Sequence, residues 1–462
     1  MQGVGAIVLA AGEGKRMLSD VPKVLHQAAG SPLLRHVLDA AEGAGIEEIV
    51  VVVGRGAEMV RSVLGDGYTY ALQEQPRGTG DAVLQGLPHI SASCQDVVVL
   101  CGDTPLLRPE TLVRLIAARR EAGAAAALLT SVFENPYGYG RILRDDSGLV
   151  EAIIEESDAT PEQKGIKEVN TGTYVFTRDA LEESVSRLQP DNNQGEYYLT
   201  DCIRILRSQG RRVVALTAPA EETAGINTRE QLSLAEAILR KRECLRLMEA
   251  GVTIRDPETT YVDKGVEVGR DTVIYPFTFL ESGTKIGRGC AIGPGVRICG
   301  ATLGDRVAVQ FSVIVESDIG DGCQIGPFAY IRPGSVLAGN VKVGDFVELK
   351  KAQVGPGSKI PHLSYIGDAV LGAGVNIGAG TITCNYDGVQ KHQTLIEDGA
   401  FIGSNTNLVA PVAVGKNAVV GAGSTITRDV PADALAVERA RQSVIPGWSK
   451  KKKKGNEENE SE

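Results

Sequence analysis

The chain has 462 residues, which is too long for a single hydrophobic core, so two or three domains are expected. Its apolar content of 43% and charged content of 23% are the proportions of a soluble globular protein. The formal net charge of −10 argues against a general nucleic-acid-binding protein.

The cysteines and the first residues indicate a cytoplasmic protein. The eight cysteines form no Cys-x-x-Cys pair and show no His/Cys ligand spacing, which predicts reduced thiols. The start, MQGVGAIVLAAGEG, lacks the basic segment and long apolar run of a secretion signal. No stretch approaches the roughly 20 apolar residues of a membrane span. We therefore expect neither a membrane nor nucleic acid as a partner.

Residues 1–226 alternate predicted strands and helices. The strands are GAIVLAA (5–11), IEEIVVVVG (46–54) and DVVVLCGD (96–103), and the helices are PLLRHVLDAAEGAG (32–45) and ETLVRLIAARREAG (110–123). Continuous apolar strands separated by amphipathic helices predict a Rossmann-like α/β domain whose sheet is mostly parallel and covered on both faces. Ligands of such sheets bind beyond the carboxyl ends of the strands.

A glycine-rich loop, LAAGEGKRM (9–17), follows the first strand, with Lys23 shortly beyond it. Glycines let a backbone approach a phosphate closely, and Arg16 and Lys23 provide positive charge. The spacing matches neither Gly-x-x-x-x-Gly-Lys-Ser/Thr nor Gly-x-Gly-x-x-Gly. From the residues alone, a phosphate-binding loop and a plain tight turn both remain open.

Residues 228–250 predict a helix, because apolar residues recur at helical spacing and Gly251 follows as a stop signal. A helix of this length would be a stiff linker between two domains. We therefore expect the two domains to carry independent sites.

From Val262 to Ile426 an aliphatic residue recurs at about every sixth position, often followed by glycine, as in Ile286-Gly287. This period fits neither a helix nor strand alternation, and it is typical of a left-handed parallel β-helix built from hexapeptide repeats. Three sides close a coil, so the run predicts roughly eight coils, each burying its aliphatic residues against the next. The alternative, a β-sandwich, is disfavoured by the length of the repeat.

Two interruptions of this repeat predict side loops, one at 354–362 and one at CNYDGVQKH (384–392). His362 lies in the first. From the residues alone it could be a surface residue or a catalytic base. The last residues, 448–462, are charged and are predicted to be disordered.

The string LAAGEGKRM followed by PKVL resembles the signature of the sugar-nucleotide pyrophosphorylases. The resemblance continues in LQEQPRGTGDA (72–82), VVVLCGD (97–103), GYGRI (138–142), AIIEESDA (152–159), VNTGTY (169–174) and GINTREQL (225–232). Together with the hexapeptide repeat, residues 5–447 resemble the family of bifunctional N-acetylglucosamine-1-phosphate uridylyltransferases/glucosamine-1-phosphate N-acetyltransferases.

This resemblance implies two reactions. An acetyl group passes from acetyl-CoA to glucosamine 1-phosphate, and a uridylyl group then passes from UTP to N-acetylglucosamine 1-phosphate with release of pyrophosphate. The product feeds peptidoglycan and lipopolysaccharide synthesis. The implied domains are a uridylyltransferase (1–227), a linker helix (228–250), an acetyltransferase β-helix (251–447) and the charged tail (448–462), in a homotrimer.

For uridylyl transfer, the resemblance implies that Arg16 and Lys23 neutralise phosphate charge and that Asp103 and Asn227 hold a Mg²⁺ ion. Asp103 could instead cap the turn after its strand. Cys101 departs from the family, which commonly has tyrosine before Gly-Asp. The implied substrate contacts are Leu9, Ala10, Ala11, Gly12, Lys23, Gln73, Gly78, Thr79, Cys101, Gly102, Asp103, Gly140, Glu155, Asn170 and Asn227.

For acetyl transfer, the resemblance implies that His362 takes the proton of the attacking amine. Lys350 and Lys351 could otherwise be a solvated pair. The sequence around Arg439 drifts from the family pattern. The implied contacts with glucosamine 1-phosphate are Arg332, Lys350, Tyr365, Asn376 and Lys391. Those with acetyl-CoA are Ala379, Asn385, Tyr386, Ser404, Ala422 and Arg439.

Two other hypotheses remain. The chain could be a nucleotidyltransferase whose β-helix serves only oligomerisation or regulation, but His362 and the 384–392 insertion disfavour this. It could also be a non-enzymatic assembly scaffold of the translation-initiation type. The presence of Gly12, Arg16, Lys23 and Asp103 disfavours that reading.

Overall fold

The computed structural model describes residues 2–12 and 14–450. The chain forms two compact units, one ending at Glu243 and the other beginning at Cys244. Residues 451–462 of the predicted charged tail lie outside the described residues. Within the described part, no helix is both long enough and apolar enough to cross a membrane.

The first unit is built on a sheet with the strand order β11-β7-β10-β6-β1-β4-β5. The strands of the first unit are β1 Val4–Ala10, β2 Gln27–Ala28, β3 Ser31–Pro32, β4 Glu48–Val53, β5 Thr69–Leu72, β6 Asp96–Cys101, β7 Ala126–Val132, β8 Arg141–Arg144, β9 Val150–Ile154, β10 Glu168–Thr177 and β11 Val213–Thr217. Of these, β2 and β3 form a separate short hairpin. Four of the six neighbouring pairs in this order are parallel, in agreement with the predicted mostly parallel sheet. β10, however, runs antiparallel to β6 and β7, and β8 and β9 form an antiparallel hairpin beside it.

Helices flank this sheet. They are α1 Leu33–Gly43, α2 Ala57–Leu64, α3 Thr79–Gly86, α4 Pro109–Glu121, α5 Pro161–Lys164, α6 Arg178–Val185, α7 Asp201–Ser208, α8 Ala220–Thr223 and α9 Arg229–Glu249, with 3₁₀ turns at Lys15–Met17, Lys23–Leu25 and Leu87–His89. A further 3₁₀ turn, Pro257–Thr259, belongs to the second unit. Alternate residues of one strand enter different cores, since Ile7 packs in one cluster and Val8 in another. The continuous apolar strands are therefore explained by burial on both faces.

Helix α9 closely matches the helix predicted over 228–250. Within the first unit, its residues Ala235 and Leu239 pack with Leu33 and Leu106. Within the second unit, Cys244 and Leu247 belong to the core of the repeat region. Both ends of the helix are therefore held by apolar packing.

The second unit is a left-handed parallel β-helix, as predicted, with three parallel sheets of 11, 10 and 9 strands. The first face contains Thr253–Ile254, Val273–Ile274, Ala291–Ile292, Ala308–Val309, Gln324–Ile325, Lys342–Asp345, Lys359–His362, Asn376–Ile377, Phe401–Ile402, Val419–Val420 and Leu435–Ala436. The second face contains Thr260–Val262, Thr278–Glu281, Arg297–Cys299, Val313–Val315, Tyr330–Ile331, Glu348–Lys350, Tyr365–Gly367, Ile382–Cys384, Asn407–Val409 and Thr425–Ile426. The third face contains Glu267–Val268, Lys285–Ile286, Thr302–Leu303, Asp318–Ile319, Val336–Leu337, Gln353–Val354, Ala369–Leu371, Thr394–Ile396 and Val412–Val414.

The period of six arises because each side of a coil points one side chain into a shared core. In one coil these are Ile325, Ile331 and Leu337, each no more than 2% exposed. The smallest sheet has 9 strands, so the array has nine complete coils rather than the predicted eight. The prediction was low because the predicted run began after the first strand, Thr253–Ile254, and missed the inward residues Thr383 and Ile396.

The predicted side loop at 354–362 was wrong. Gln353–Val354 and Lys359–His362 are regular strands of the third and first faces, so no residue is inserted there. The second prediction was correct, because residues 385–393 leave the array between Ile382–Cys384 and Thr394–Ile396.

Close stacking of coils requires a residue without a side chain at certain positions. A Cβ atom on Gly344 would overlap the backbone carbonyl of Pro361 in the next coil. A Cβ atom on Gly339 would meet nothing closer than 3.4 Å. The fold therefore excludes a side chain at Gly344 but has room for one at Gly339.

We predict that Gly344→Ala destabilises the β-helix by roughly 1–3 kcal/mol, because two backbones must move apart. Amide hydrogen exchange over residues 342–366 should accelerate accordingly. Gly339→Ala is the matched control and should leave exchange unchanged. Equal exchange in the two variants would contradict the account of coil stacking.

Candidate functional site

A cavity of about 580 Å³ lies at the carboxyl edge of the first unit's sheet. The loop after β1, the end of β6 and the start of α3 form its walls. It is lined by Leu9, Ala11, Gly12, Gly14, Lys15, Arg16, Lys23, Val24, Gln73, Pro76, Gly78, Thr79, Ala82, Cys101, Asp103, Glu196 and Asn227. Most of the predicted residues of the first site therefore share one cavity. Gly102 packs beneath it, where its N–H donates to the carbonyl of Leu9 (2.9 Å), and Ala10 is buried.

The centre of the cavity is a cluster of four polar side chains. The ammonium of Lys23 donates to Oδ2 of Asp103 and to Oδ1 of Asn227, the latter at 3.0 Å. Arg16 donates to the same Asn227 oxygen at 2.8 Å. Lys23 and Asp103 are 13% and 19% exposed, and a carboxylate at such depth needs a charged partner.

Backbone contacts bring these side chains together from distant parts of the chain. The amide of Ile226 donates to the carbonyl of Asp103 at 2.9 Å. The amide of Asn227 donates to Oε1 of Gln231 at 2.7 Å, at the start of α9. Gly14 has a φ of +63°, and a Cβ atom there would lie 2.5 Å from Cβ of Lys23. This glycine therefore lets the loop fold back against Lys23.

The oxygens of Asp103 and Asn227 fit a divalent cation. Both point at one atom, the Lys23 nitrogen, so they converge on a single position. One carboxylate and one amide oxygen suit Mg²⁺, which keeps several waters and binds substrate phosphates. Among the described residues, no group of three or more His, Cys, Asp or Glu could hold a metal by itself.

One wall of the cavity is built on α3. Gln73 donates to the Gly78 carbonyl (3.1 Å) and to Asp81 (2.7 Å). The hydroxyl of Thr79 accepts from the amide of Leu199 at 3.1 Å. Gly78 has a φ of +108° at the start of the helix. These contacts hold the wall in one conformation.

Gly140, Glu155 and Asn170 lie together but do not line the cavity itself. The amide of Asn170 donates to the carbonyl of Gly140 at 2.8 Å, and a Cβ atom on Gly140 would lie 3.3 Å from the Glu155 carboxylate. Burial raises the pKa of Glu155, although a hydrogen bond from Thr200 opposes the shift. The group is therefore a recessed polar wall.

Cys101 occupies the position where the related family commonly has tyrosine. Burial, with a smaller contribution from Asp103, raises the pKa of its thiol to about 12. Its sulfur lies 3.5 Å from the carbonyl of Gly172, whose φ of +75° and missing side chain make room for it. Cys101 is thus an uncharged packing residue on the cavity wall.

Sequence reasoning missed Tyr139, whose hydroxyl accepts from the amide of Gly225 at 3.3 Å. Burial raises the pKa of Tyr139, so it stays neutral near the cluster. It also missed Pro76 and Glu196, which line the cavity. Glu196 precedes a contact between Tyr197 and Arg77 that no periodic pattern reveals.

In the second unit, His362 ends a first-face strand and is paired with Asp345. Its Nδ1 lies 2.6 Å from Oδ1 of Asp345, which ends the first-face strand one coil earlier. The side chains are 56% and 37% exposed. The hydrogen bond from His362 holds the pKa of Asp345 below its usual value. Sequence reasoning missed Asp345, although counting back one coil from His362 finds it.

Strand register aligns His362 with three predicted residues along one corner of the β-helix. Each follows an inward aliphatic residue of the first face by two positions. We call this line the corner column: Asp345, His362, Ala379, Ser404 and Ala422. Arg439 reaches it by donating to the carbonyl of Ala422 at 3.0 Å.

A cationic cluster lies on the second face, in the same coils. Lys350 donates to Asp368 at 2.9 Å, and Asn385 donates to the same carboxylate. Asp368 raises the pKa of Lys350. The hydrogen bond with Lys350 lowers the pKa of Lys391. The insertion is therefore attached to the array through one carboxylate, which sequence reasoning missed.

The remaining predicted residues lie around these groups. Arg332 donates to Glu348 at 2.8 Å, and Glu348 lies beside Tyr365 in register. Asn376 stands beside Lys359 on the first face. Tyr386 is exposed on the insertion, and its hydroxyl donates to the carbonyl of Gly388 at 2.5 Å. The sequence patterns alone did not show these pairings.

Comparisons with known proteins cover almost the whole chain. Family models match a MobA-like NTP transferase domain (6–199), a GMPPB C-terminal domain (257–362) and a bacterial transferase hexapeptide of six repeats (393–428). A protein of Heliobacterium modesticaldum named "Bifunctional protein GlmU" is 55% identical over 98% of this chain and 99% of its own. Proteins of the same name from Carboxydothermus hydrogenoformans and Syntrophomonas wolfei are 53% and 49% identical, over 94% and 96% of this chain and 98% and 99% of theirs.

Proposed function

The chain belongs to the family of bifunctional GlmU proteins, and we propose which of its residues carry each of the two activities. It is a transferase that makes UDP-N-acetylglucosamine. An acetyl group is transferred from acetyl-CoA to glucosamine 1-phosphate, and a uridylyl group is then transferred from UTP to N-acetylglucosamine 1-phosphate. The product supplies peptidoglycan and lipopolysaccharide precursors.

Uridylyl transfer takes place in the cavity of the first unit. The observation that supports this is the convergence of Arg16, Lys23, Asp103 and Asn227 on one point. A phosphate oxygen of the sugar phosphate attacks the α-phosphorus of UTP, and the bond to the leaving pyrophosphate breaks. The nucleophile is already an anion, so the chain needs to supply alignment and positive charge rather than a strong base. Arg16 and Lys23 supply that charge.

Asp103 and Asn227 would hold the Mg²⁺ ion, which neutralises phosphate charge when bound. With the ion and nucleotide present, the Lys23 ammonium is free to move from these oxygens to a phosphate. The loop residues Leu9, Ala10, Ala11 and Gly12, with Gln73, Gly78 and Thr79, would hold the nucleotide. The recessed wall of Gly140, Glu155 and Asn170 would hold the sugar.

Acetyl transfer takes place along the corner column of the β-helix. The supporting observation is that His362 stands in one line with Ala379, Ser404 and Ala422. Small residues in a line leave room for an extended thioester chain, and Arg439 lies at the far end of it. The amine of glucosamine 1-phosphate attacks the thioester carbon, the coenzyme A thiolate leaves, and His362 takes the amine proton.

The cationic cluster would bind the phosphate of glucosamine 1-phosphate. Lys350, Lys391 and Arg332 provide positive charge, and charge-assisted hydrogen bonds are the strong ones for phosphate recognition. Tyr365 and Asn376 would hold the sugar hydroxyls. Asn385 and Tyr386 would close the pocket from the insertion, next to acetyl-CoA.

The two sites are proposed to act independently, with domain bounds at 1–227, 228–250, 251–447 and 448–462. We also place the enzyme in the cytoplasm. Its eight cysteines, all within the described residues, form no disulfide, which is compatible with a reducing compartment. Small molecules, rather than nucleic acid or membrane, are its proposed partners.

We propose a homotrimer in which neighbouring β-helices share the acetyl-CoA site. The support is an exposed apolar ladder beside the corner column, formed by Phe311, Phe328, Phe346 and Leu363. The rings of Phe311 and Phe328 are 5.7 Å apart and those of Phe328 and Phe346 5.3 Å. Their exposed fractions, 45%, 55% and 57%, leave an apolar strip that a neighbouring copy would bury. All four residues have positive φ, a strained conformation for bulky side chains.

Asp103→Ala should lower uridylyl transfer by at least roughly 100-fold, because the cation and Lys23 lose their carboxylate partner. Pyrophosphate release measures this step. Acetyl transfer should stay within about twofold of the wild type if the sites are independent. Asp146→Ala, at an exposed aspartate of the same unit, is the control. Full uridylyl transfer in Asp103→Ala would refute the assignment.

His362→Ala should have the reverse effect. Loss of the base should lower acetyl transfer by roughly 100-fold or more, measured as thiol release from acetyl-CoA. Uridylyl transfer in the same preparation is the internal control and should be normal. Loss of both activities in a folded variant would show that the sites are not independent.

Phe328→Glu combined with Phe346→Glu should break the trimer, because assembly would have to bury two neighbouring carboxylates of each chain in the interface. Light scattering after size-exclusion chromatography should give three times the chain mass for the wild type and a smaller mass for the variant. Val336→Glu, an exposed residue on the third face, is the matched control. A trimeric double variant would exclude the ladder as the interface.

A further inference from the structure

We infer that Asp345 is a positioning residue for acetyl transfer, which orients the imidazole of His362 and decides which ring nitrogen receives the proton. The inference rests on the proposed role of His362 as the base. It extends that proposal by adding a residue that is not among the predicted residues of the acetyl-transfer site.

The geometry is set by the register of the first face. Asp345 and His362 are directly opposite each other in neighbouring parallel strands, Lys342–Asp345 and Lys359–His362. The side chains meet at 2.6 Å between Oδ1 and Nδ1. The backbone keeps the two strand ends in place independently, because the amide of Leu363 donates to the carbonyl of Asp345 at 2.9 Å. The carboxylate therefore fixes the ring, not the strand.

The hydrogen bond selects a tautomer. An ionised carboxylate can only accept, so the proton of a neutral imidazole must be on Nδ1. Nε2 then carries the lone pair that can take a proton from the attacking amine. When the C–N bond forms and the C–S bond breaks, the amine proton moves to Nε2. The imidazolium that results keeps Asp345 as its counter-charge.

The Asp345–His362 pair contributes little to the stability of the fold. Both side chains are more than a third exposed, and ion pairs in that setting contribute little to stability. The inward neighbours of both strands, Val343 and Ile360, are buried and belong to the core. Removing the carboxylate should therefore leave the fold intact and change the chemistry.

The test compares Asp345→Ala with Asp345→Asn in the full-length enzyme. The alanine variant should lose roughly 10- to 100-fold in kcat for acetyl transfer, while KM for both substrates stays within about twofold. The asparagine variant should recover most of this loss, because its amide oxygen can still accept from Nδ1. Asp305→Ala is the matched control, since Asp305 is a corner aspartate whose carboxylate accepts from a backbone group, the amide of Arg288, at 2.8 Å.

A second measurement reads the tautomer of His362 directly rather than through the reaction rate. Solid-state ¹⁵N spectra of histidine-labelled enzyme at a pH where imidazole is neutral should show His362 as the Nδ1–H tautomer. The signal is assigned by its absence from His362→Ala. In Asp345→Ala the ring should revert to the Nε2–H form that free histidine favours.

The outcomes separate this inference from the proposed function. If His362→Ala loses acetyl transfer while Asp345→Ala keeps full kcat, or if the wild type shows the Nε2–H tautomer, Asp345 is not a positioning residue. Full acetyl transfer in His362→Ala would overturn both assignments. Three results together would establish Asp345 as a positioning residue. Asp345→Ala loses kcat with unchanged KM, Asp345→Asn recovers most of that kcat, and the wild type shows the Nδ1–H signal.

Discussion

The stacking of flat coils is the constraint on which the proposed acetyl-transfer site depends. Each coil can bury its aliphatic side chains only against its neighbours, so the strands must lie in parallel register. That register turns residues one coil apart, such as Asp345 and His362, into direct neighbours. Glycines such as Gly344, which has no space for a side chain, keep the coils close enough for this to hold. A column of outward residues is therefore a consequence of core packing.

In the first unit the corresponding constraint is charge at the edge of a buried sheet. Asp103 follows β6, and its carboxylate is mostly shielded from water. Such a group must have a partner, and Lys23 provides one. Because Arg16 and Asn227 join the same cluster, the polar groups are already gathered where phosphates would bind. Little rearrangement is then needed beyond the transfer of Lys23 from protein oxygens to a phosphate, which favours catalysis by preorganised charge.

The sequence predicted the parts of this structure that repeat or that follow a known motif. The six-residue period predicted the β-helix, and the apolar strands predicted the sheet. It could not predict that Thr383 replaces an aliphatic residue inside a coil, because a threonine carries no hydrophobic signal. The antiparallel direction of β10 could not be predicted either, because a strand buried on both faces has the same apolar pattern in either direction. Partners such as Asp368 and Tyr139 depend on contacts between distant parts of the chain, which no local pattern contains.

The position of His362 also changes how the second site should be understood. A base on a projecting loop was expected, yet His362 belongs to a strand whose inward residue, Ile360, is fully buried. Groups that must hold a fixed geometry are better placed on rigid elements than on loops. The one true insertion contributes Asn385, Tyr386 and Lys391, which are tied to the array through Asp368 and Lys350. The rigid column would then fix the direction of proton transfer, while the insertion adapts to the substrates. A substitution in the insertion should therefore affect substrate binding more than the chemical step. A substitution in the corner column should affect the chemical step more than substrate binding.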